Sequence, residues 1–200
     1  MNRPAVLIEP ADSSCVGLRM AADEFLRMQD ETYNYELIDG VVVVSPSPSP
    51  LHQSVTMEIA YQLKAYLQEH PVGAVFPEID VHLGKRPGGG DLVYKPEVVV
   101  IRAERLREIR DKIVGAPDLV VEVISRGSRR MDTLTKKHDY EHFGVREYWL
   151  VDPERESITF YRRKRRKFVA VRSGRESFAS EAVPGFVLDV ARVRRSFKPW

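Results

Sequence analysis

Apolar side chains recur along this chain in two periods, and the changes from one period to the other give an order of elements. Residues 19–28 carry Met20, Ala21, Phe25, Leu26 and Met28 at roughly helical spacing and predict a short amphipathic helix. Residues 33–45 read Y-N-Y-E-L-I-D-G-V-V-V-V-S, two β-rich runs meeting at Asp39-Gly40, which is a hairpin signal. Serine and proline alternate from 45 to 50, so that stretch is a loop, closed to helix and ladder alike. Helical spacing returns over 52–69 through Val55, Ile59, Leu63, Tyr66 and Leu67. A strand is predicted over 75–83, a glycine-rich turn with Lys85, Arg86 and Pro87 over 84–90, and a second strand over 92–101. The charged segment 102–112 reads as a short helix or loop. Then follow a strand at 119–124, a helix at 129–143, a strand at 147–151, and a hairpin made of 157–161 and 168–171. Continuous apolar strands such as those around Val98 and Val121 belong in the middle of a sheet covered on both faces. The expected class is therefore an α/β sandwich with a mixed central β-sheet flanked by helices, with residues 1–18 as an N-terminal extension and 19–200 as a single domain.

Composition narrows the class. The chain has 200 residues, 43% hydrophobic and 30% charged, enough for one core of ordinary size and too apolar for a disordered chain. No apolar window reaches the roughly 18 residues of a membrane span, and residues 1–10 lack the apolar block of a signal peptide. Cys15 is the one cysteine, which excludes a disulfide framework or a cysteine metal cluster. A cytoplasmic protein is expected. The formal net charge of +2 is a cancellation: residues 1–100 hold 7 basic and 14 acidic side chains, residues 101–200 hold 24 and 15. Six basic residues run consecutively as Arg162, Arg163, Lys164, Arg165, Arg166 and Lys167, with Arg172 and Arg175 after them. Such an asymmetry points to a polyanionic partner.

Glu122 is the most informative position, because it places a carboxylate inside V-V-E-V-I, where a sheet interior accepts apolar side chains. A buried charge is costly unless neutralised, paired or metal-bound. Strand alternation puts Glu122 on the face opposite Val121 and Val123. Glu97, in K-P-E-V-V-V-I, is a second carboxylate entering a β-branched run, 25 residues earlier. Two acids on neighbouring strands can share a hard cation such as Mg²⁺. Asp132, Lys136 and Tyr140 follow at i, i+4 and i+8, on one helix face. The plain alternatives are an edge glutamate satisfied by an arginine and a solvated Asp-Lys pair.

Together these residues resemble the Uma-type restriction-endonuclease-like family within the PD-(D/E)XK nuclease superfamily. The resemblance runs from about Tyr35 to at least Tyr161 and is carried by several phrases. They are Y-E-L-I-D-G at 35–40, the S-P-S-P run leading to His52-Gln53, K-P-E-V at 95–98, A-P-D-L-V-V-E-V-I-S at 116–125 and G-V-R-E-Y-W-L-V-D-P at 144–153. It implies a restriction-endonuclease-like fold and a Mg²⁺- or Mn²⁺-dependent endonuclease acting on DNA, working as a homodimer. Glu97 stands where the family has the aspartate of its Pro-Asp motif, and Glu122 at the first acid of the (D/E)XK element. The lysine expected two residues later is Ile124 here, and the resemblance assigns its role to Lys136 from the following helix, with Asp132 and Tyr140 beside it. Glu36 and His52 match two accessory positions. Glu for Asp at position 97 adds a methylene, so Asp91 is a substitute metal ligand if Glu97 does not reach. Chemically, a carboxylate-held cation would activate water and relieve charge on the phosphate, while the lysine orients the water or stabilises developing charge. Arg126, Arg129, Arg130 and the run 162–167 are candidate phosphate contacts.

Two competing signals stand beside this reading. His138-Asp139-Tyr140-Glu141-His142 matches H-x-x-E-H, whose histidines at i and i+4 could hold Zn²⁺ with Glu141 as base in a metalloprotease. A catalytically inactive relative that binds nucleic acid or a protein partner is the other, because the Glu97 departure could displace a ligand. The basic run also has the ordinary reading of a solvated hairpin tip.

Overall fold

The computed structural model describes residues 15–28, 34–174, 176–198 and 200. Most of the expected N-terminal extension, together with Tyr33 and Arg175, lies outside those residues. Its last part is not an appendage: Gly17 donates to Val42 O at 2.8 Å and Val42 donates to Leu18 O at 3.0 Å.

Helix α1 (Ala22–Phe25) precedes a hairpin of β1 (Tyr35–Ile38) and β2 (Val41–Val44). Asp39 and Gly40 both have positive φ, 56° and 72°, the backbone that a two-residue hairpin turn matching the strand twist demands. The Ser-Pro loop then feeds α2 (Pro50–Glu69), where Ser49 accepts from His52 N at 3.2 Å as N-cap and Pro50 opens the first turn. The helix starts two residues before the periodicity does, because proline at N1 is invisible to an apolar period. Its stripe of Val55, Ile59, Leu63 and Leu67 is buried.

The next two expected strands are each broken in two by a local device. The stretch predicted over 75–83 becomes β3 (Gly73–Pro77) and β4 (Val81–Lys85), separated at Glu78, whose φ is 44°. The stretch predicted over 92–101 becomes β5 (Asp91–Tyr94) and β6 (Val98–Arg102), separated by Lys95-Pro96-Glu97, where Pro96 removes an amide donor and restricts its predecessor. Both chains thus switch sheets side by side, joined by Glu78 N to Glu97 O at 3.3 Å.

A 3-10 turn (Ala103–Glu108) leads to β7 (Ile113–Val114) and β8 (Leu119–Val123). The connection to β9 (Glu147–Asp152) is helical but begins as a π-turn (Met131–Lys136) before α3 (Lys137–Phe143), which ends at Gly144 with φ 102°. Strands β10 (Ser157–Lys164) and β11 (Lys167–Val171) run through the basic segment to a turn at Arg165 and Arg166. The remaining elements, β12 (Ser177–Ala179), β13 (Val187–Asp189) and α4 (Val190–Arg195), are too short to show a period.

Six strands form one sheet in the order β11-β10-β9-β8-β6-β3, mixed because β8 and β9 are parallel and the other pairs antiparallel. Five form a second sheet, β2-β1-β5-β4-β7. Helices α2 and α4 pack with Val98, Val100, Leu119, Val121, Val123 and Trp149 on one face of the six-stranded sheet. Val99, Ile101, Val120, Tyr148 and Leu150 point to the other face, against α3 and the second sheet. The result is the expected α/β sandwich, with its chemistry-bearing side chains between the two sheets.

Candidate active site

Strand alternation fixes where Glu122 goes. Its neighbours Val121 and Val123 face α2, so Glu122 faces the inter-sheet space, where it is 1% exposed. The β6–β8 register pairs Val98 with Val121, so one step further sets Glu97 opposite Glu122. Each carboxyl lies close enough to the other to affect its titration. Burial raises both above the usual carboxylate range, Glu122 well above it. The Lys136 ammonium opposes that rise at both carboxyls.

Lys136 lies between the sheets and bonds a carboxylate from each: Nζ is 2.9 Å from Glu36 Oε1 on β1 and 3.1 Å from Glu122 Oε1 on β8. Asp132 Oδ1 is 3.9 Å away. Burial alone would lower the lysine's pKa, but Glu122, Glu36 and Asp132 more than offset it and hold the ammonium charged. Asp132 is pushed up to about 7 by burial and by the Glu122 charge. Tyr140 OH donates to Glu122 Oε1 at 2.6 Å, one turn beyond Lys136 on the same face. Glu36 is also held by Lys95 N, which donates to the same Oε1 at 2.9 Å, and by Ser45 Oγ, which donates to Oε2 at 3.1 Å.

His52, in the first turn of α2, closes the cluster from the other direction. Its Nε2 is 3.0 Å from Glu97 Oε1 and 2.8 Å from Val123 O, and Val123 N donates to Glu97 Oε2 at 3.2 Å. Two acceptors at Nε2 place the proton there, and burial lowers the pKa further, so the imidazole is neutral with Nδ1 bare. The structure therefore brings together Glu36, His52, Glu97, Glu122, Asp132, Lys136 and Tyr140, drawn from β1, α2, the sheet-switch corner, β8, the π-turn and α3.

Among the described residues no three His, Cys, Asp or Glu side chains converge as a metal cage. The donor set nevertheless fits Mg²⁺ or Mn²⁺: two neighbouring carboxylates, with the Val123 carbonyl in the same hydrogen-bond network. Mg²⁺ is usually held by one or two carboxylates and keeps several waters.

Other sequence candidates lie elsewhere. Asp91 is at the far end of β5, accepting from Ala22 N at 3.2 Å and facing His82 at 3.5 Å, so it is a tether for α1 and not a substitute ligand. Glu97 reaches the site itself. Glu141 of the H-x-x-E-H phrase is bound to Lys167 Nζ at 2.9 Å and to Phe168 N, which hold its carboxyl below the usual range although burial opposes them. The His138 and His142 rings stack 6.4 Å apart and find no third ligand among the described residues, so the zinc-protease reading lacks a site. Of the mouth arginines, Arg126 is exposed and pairs with Glu154 at 2.9 Å, Arg129 is bound to Asp152, and Arg130 is exposed. In the basic run, Arg162 is bound to Glu147 and stacks over Phe178, and Arg163 donates to Glu141 O, so those two brace the fold. The turn itself lies at the opposite end of β9 from Glu122, about six residues or roughly 20 Å along the strands.

Sequence pattern alone missed a second layer. Asp139 is 1% exposed and accepts from Tyr94 OH at 2.5 Å and from Arg86 at 3.1 and 2.5 Å, while the Tyr94 ring lies 5.3 Å from Lys136 Nζ. Its one signal was an aspartate three residues after Lys136, hidden inside the histidine phrase.

The mixed α/β sandwich, with two neighbouring carboxylates and a lysine between its sheets, is of the restriction-endonuclease-like class. Residues 22–191 match the family model Uma2, described as "Putative restriction endonuclease", and the chain belongs to that family. A crystal structure described as a "putative nuclease belonging to DUF820", from Anabaena variabilis, has a similar fold. Its TM-score is 0.73 at 17% identity, over 89% of this chain and 99% of that one. Among curated proteins nothing matches.

Proposed function

We propose that this protein is a metal-dependent endonuclease hydrolysing phosphodiester bonds in DNA, with Mg²⁺ or Mn²⁺ held by Glu97, Glu122 and the Val123 carbonyl. The observation that carries the reading is the placement of Glu97 opposite Glu122 on neighbouring strands, beside a buried Lys136 that lies 3.1 Å from Glu122. A bound divalent cation supplies Lewis acidity to the phosphate and lowers the pKa of attacking water. Lys136, kept charged by Glu36, Glu122 and Asp132, offers a donor to a non-bridging phosphate oxygen where negative charge accumulates. Tyr140 and Glu36 hold Glu122 and Lys136 in place, and His52 aligns Glu97 with the Val123 peptide. Family membership supports nuclease chemistry, and the cationic second half of the chain supports a nucleic-acid substrate. Arg126 and Arg130 then contact phosphates near the mouth, while Lys164, Arg165 and Arg166 meet the backbone further along a duplex.

Incubating the protein with supercoiled DNA, with each metal or with chelator, tests the reading. Metal-dependent nicking is expected. Its absence under both metals, with the folded protein verified, leaves the binding-only alternative.

A further inference from the structure

The room around the carboxylates is small. The cavity bordered by Glu97, Lys95 and Lys136 holds about 40 Å³, little more than one water's share of liquid volume, roughly 30 Å³. That space admits an ion, a water or a phosphate oxygen and excludes a nucleoside. A second cavity of about 480 Å³ adjoins it across a wall formed by Pro46, His52 and Ser125, which line both. Its size is that of a small-molecule site, on the order of 300–1,000 Å³.

The larger cavity lies between the Ser-Pro loop and the 125–127 turn. Leu51, Ile124 and Pro153 give it apolar walls, Ser47 and Ser49 stand on its exposed side, and Arg126 and Glu154 form a charged lip. The dividing wall carries two buried polar atoms with no hydrogen-bond partner, Ser125 Oγ and His52 Nδ1. Apolar faces with a charged Arg126–Glu154 lip suit a nucleobase and its sugar, and a base stacked inside a duplex cannot enter such a concavity without being turned out.

We infer that this cavity receives the nucleoside next to the scissile phosphate, so that the enzyme acts where a nucleotide is unpaired. The inference rests on the nuclease reading for its substrate and adds to it the local form of the strand. Three oligonucleotides test it, one single-stranded, one fully paired and one duplex with a single unpaired 2-aminopurine, each with Mg²⁺ or Mn²⁺. Cleavage of the unpaired and single-stranded forms should exceed that of the paired duplex by about tenfold or more, since turning a paired base out of a duplex costs a few kcal/mol. Ser47 is exposed at the rim, so Ser47→Trp fills the cavity without disturbing the core, and should erase that preference by raising KM. The 2-aminopurine fluorescence should change on adding wild-type protein, and not on adding the variant. Equal cleavage of all three forms with no fluorescence change overturns the subsite and leaves the nuclease intact. A fluorescence change lost in Ser47→Trp, with no cleavage under either metal, supports the subsite and overturns the nuclease. Neither cleavage nor a fluorescence change overturns both.

Discussion

Glu97 occupies the corner where the chain passes from one sheet to the other. Its two carboxylate oxygens reach His52 Nε2 at 3.0 Å and Val123 N at 3.2 Å. Glu97→Asp withdraws the carboxyl by about one bond length, and kcat/KM should fall roughly 10²-fold, as displacements of about 1 Å do. Wild-type or higher activity in this variant would show that the site is tuned to aspartate. The protons give a second test. Asp132 is raised to about 7 in the folded state from an ordinary 3.8, and Glu97 and Glu122 move the same way. A carboxyl with a raised folded pKa stabilises the protein below about pH 4 and loses that contribution as pH rises through about 7. The metal-free Tm should therefore fall from pH 5.5 to pH 8, while the rise in Tm on adding Mg²⁺ or Mn²⁺ should be larger at pH 8, where protons no longer compete. A metal-induced shift independent of pH would contradict a carboxylate site. Glu122 was legible from sequence because an acid in an apolar strand has few explanations. Asp139 was not, because its partners Tyr94 and Arg86 are 45 and 53 residues away.

At the scale of elements, periodicity finds a strand or helix where one face is buried over several turns, as in α2 and β8. It fails where the backbone changes partners. Nothing in the apolar pattern of 75–83 or 92–101 marks the sheet switch, although Pro96 sits at one of the two corners. The hairpin β10–β11 carries a different local conflict. Arg165 and Arg166 hold φ of 48° and 76°, where Asn and Gly are favoured. The double variant Arg165→Asn, Arg166→Gly should raise stability by about 1 kcal/mol and remove two charges. If the turn contacts DNA, the variant binds more weakly and the slope of log K against log salt falls by about two. An unchanged slope would restrict the run to bracing α3 and β9 through Arg162, Arg163 and Lys167.

For the whole molecule, the near-neutral total hides an acidic half and a basic half, and the candidate site lies across their boundary. Glu36 and Glu97 come from the first hundred residues, Glu122, Asp132 and Lys136 from the second, and the sandwich gathers them around the Lys136 ammonium. Fold class was legible from the order of periods, since a buried apolar strand followed by a helix and a parallel strand admits few arrangements. The pairing of Glu36 with Lys136 was not, because it joins two sheets whose packing no local pattern encodes. No helix among the described residues is long and apolar enough to cross a membrane. The most direct test of the account is nicking of supercoiled DNA by wild type, Glu122→Ala and Lys136→Ala, with Mg²⁺, with Mn²⁺ and with chelator. The account predicts metal-dependent nicking by wild type that falls at least about 10²-fold in each variant. Nicking that persists in both folded variants, or in chelator, would contradict it.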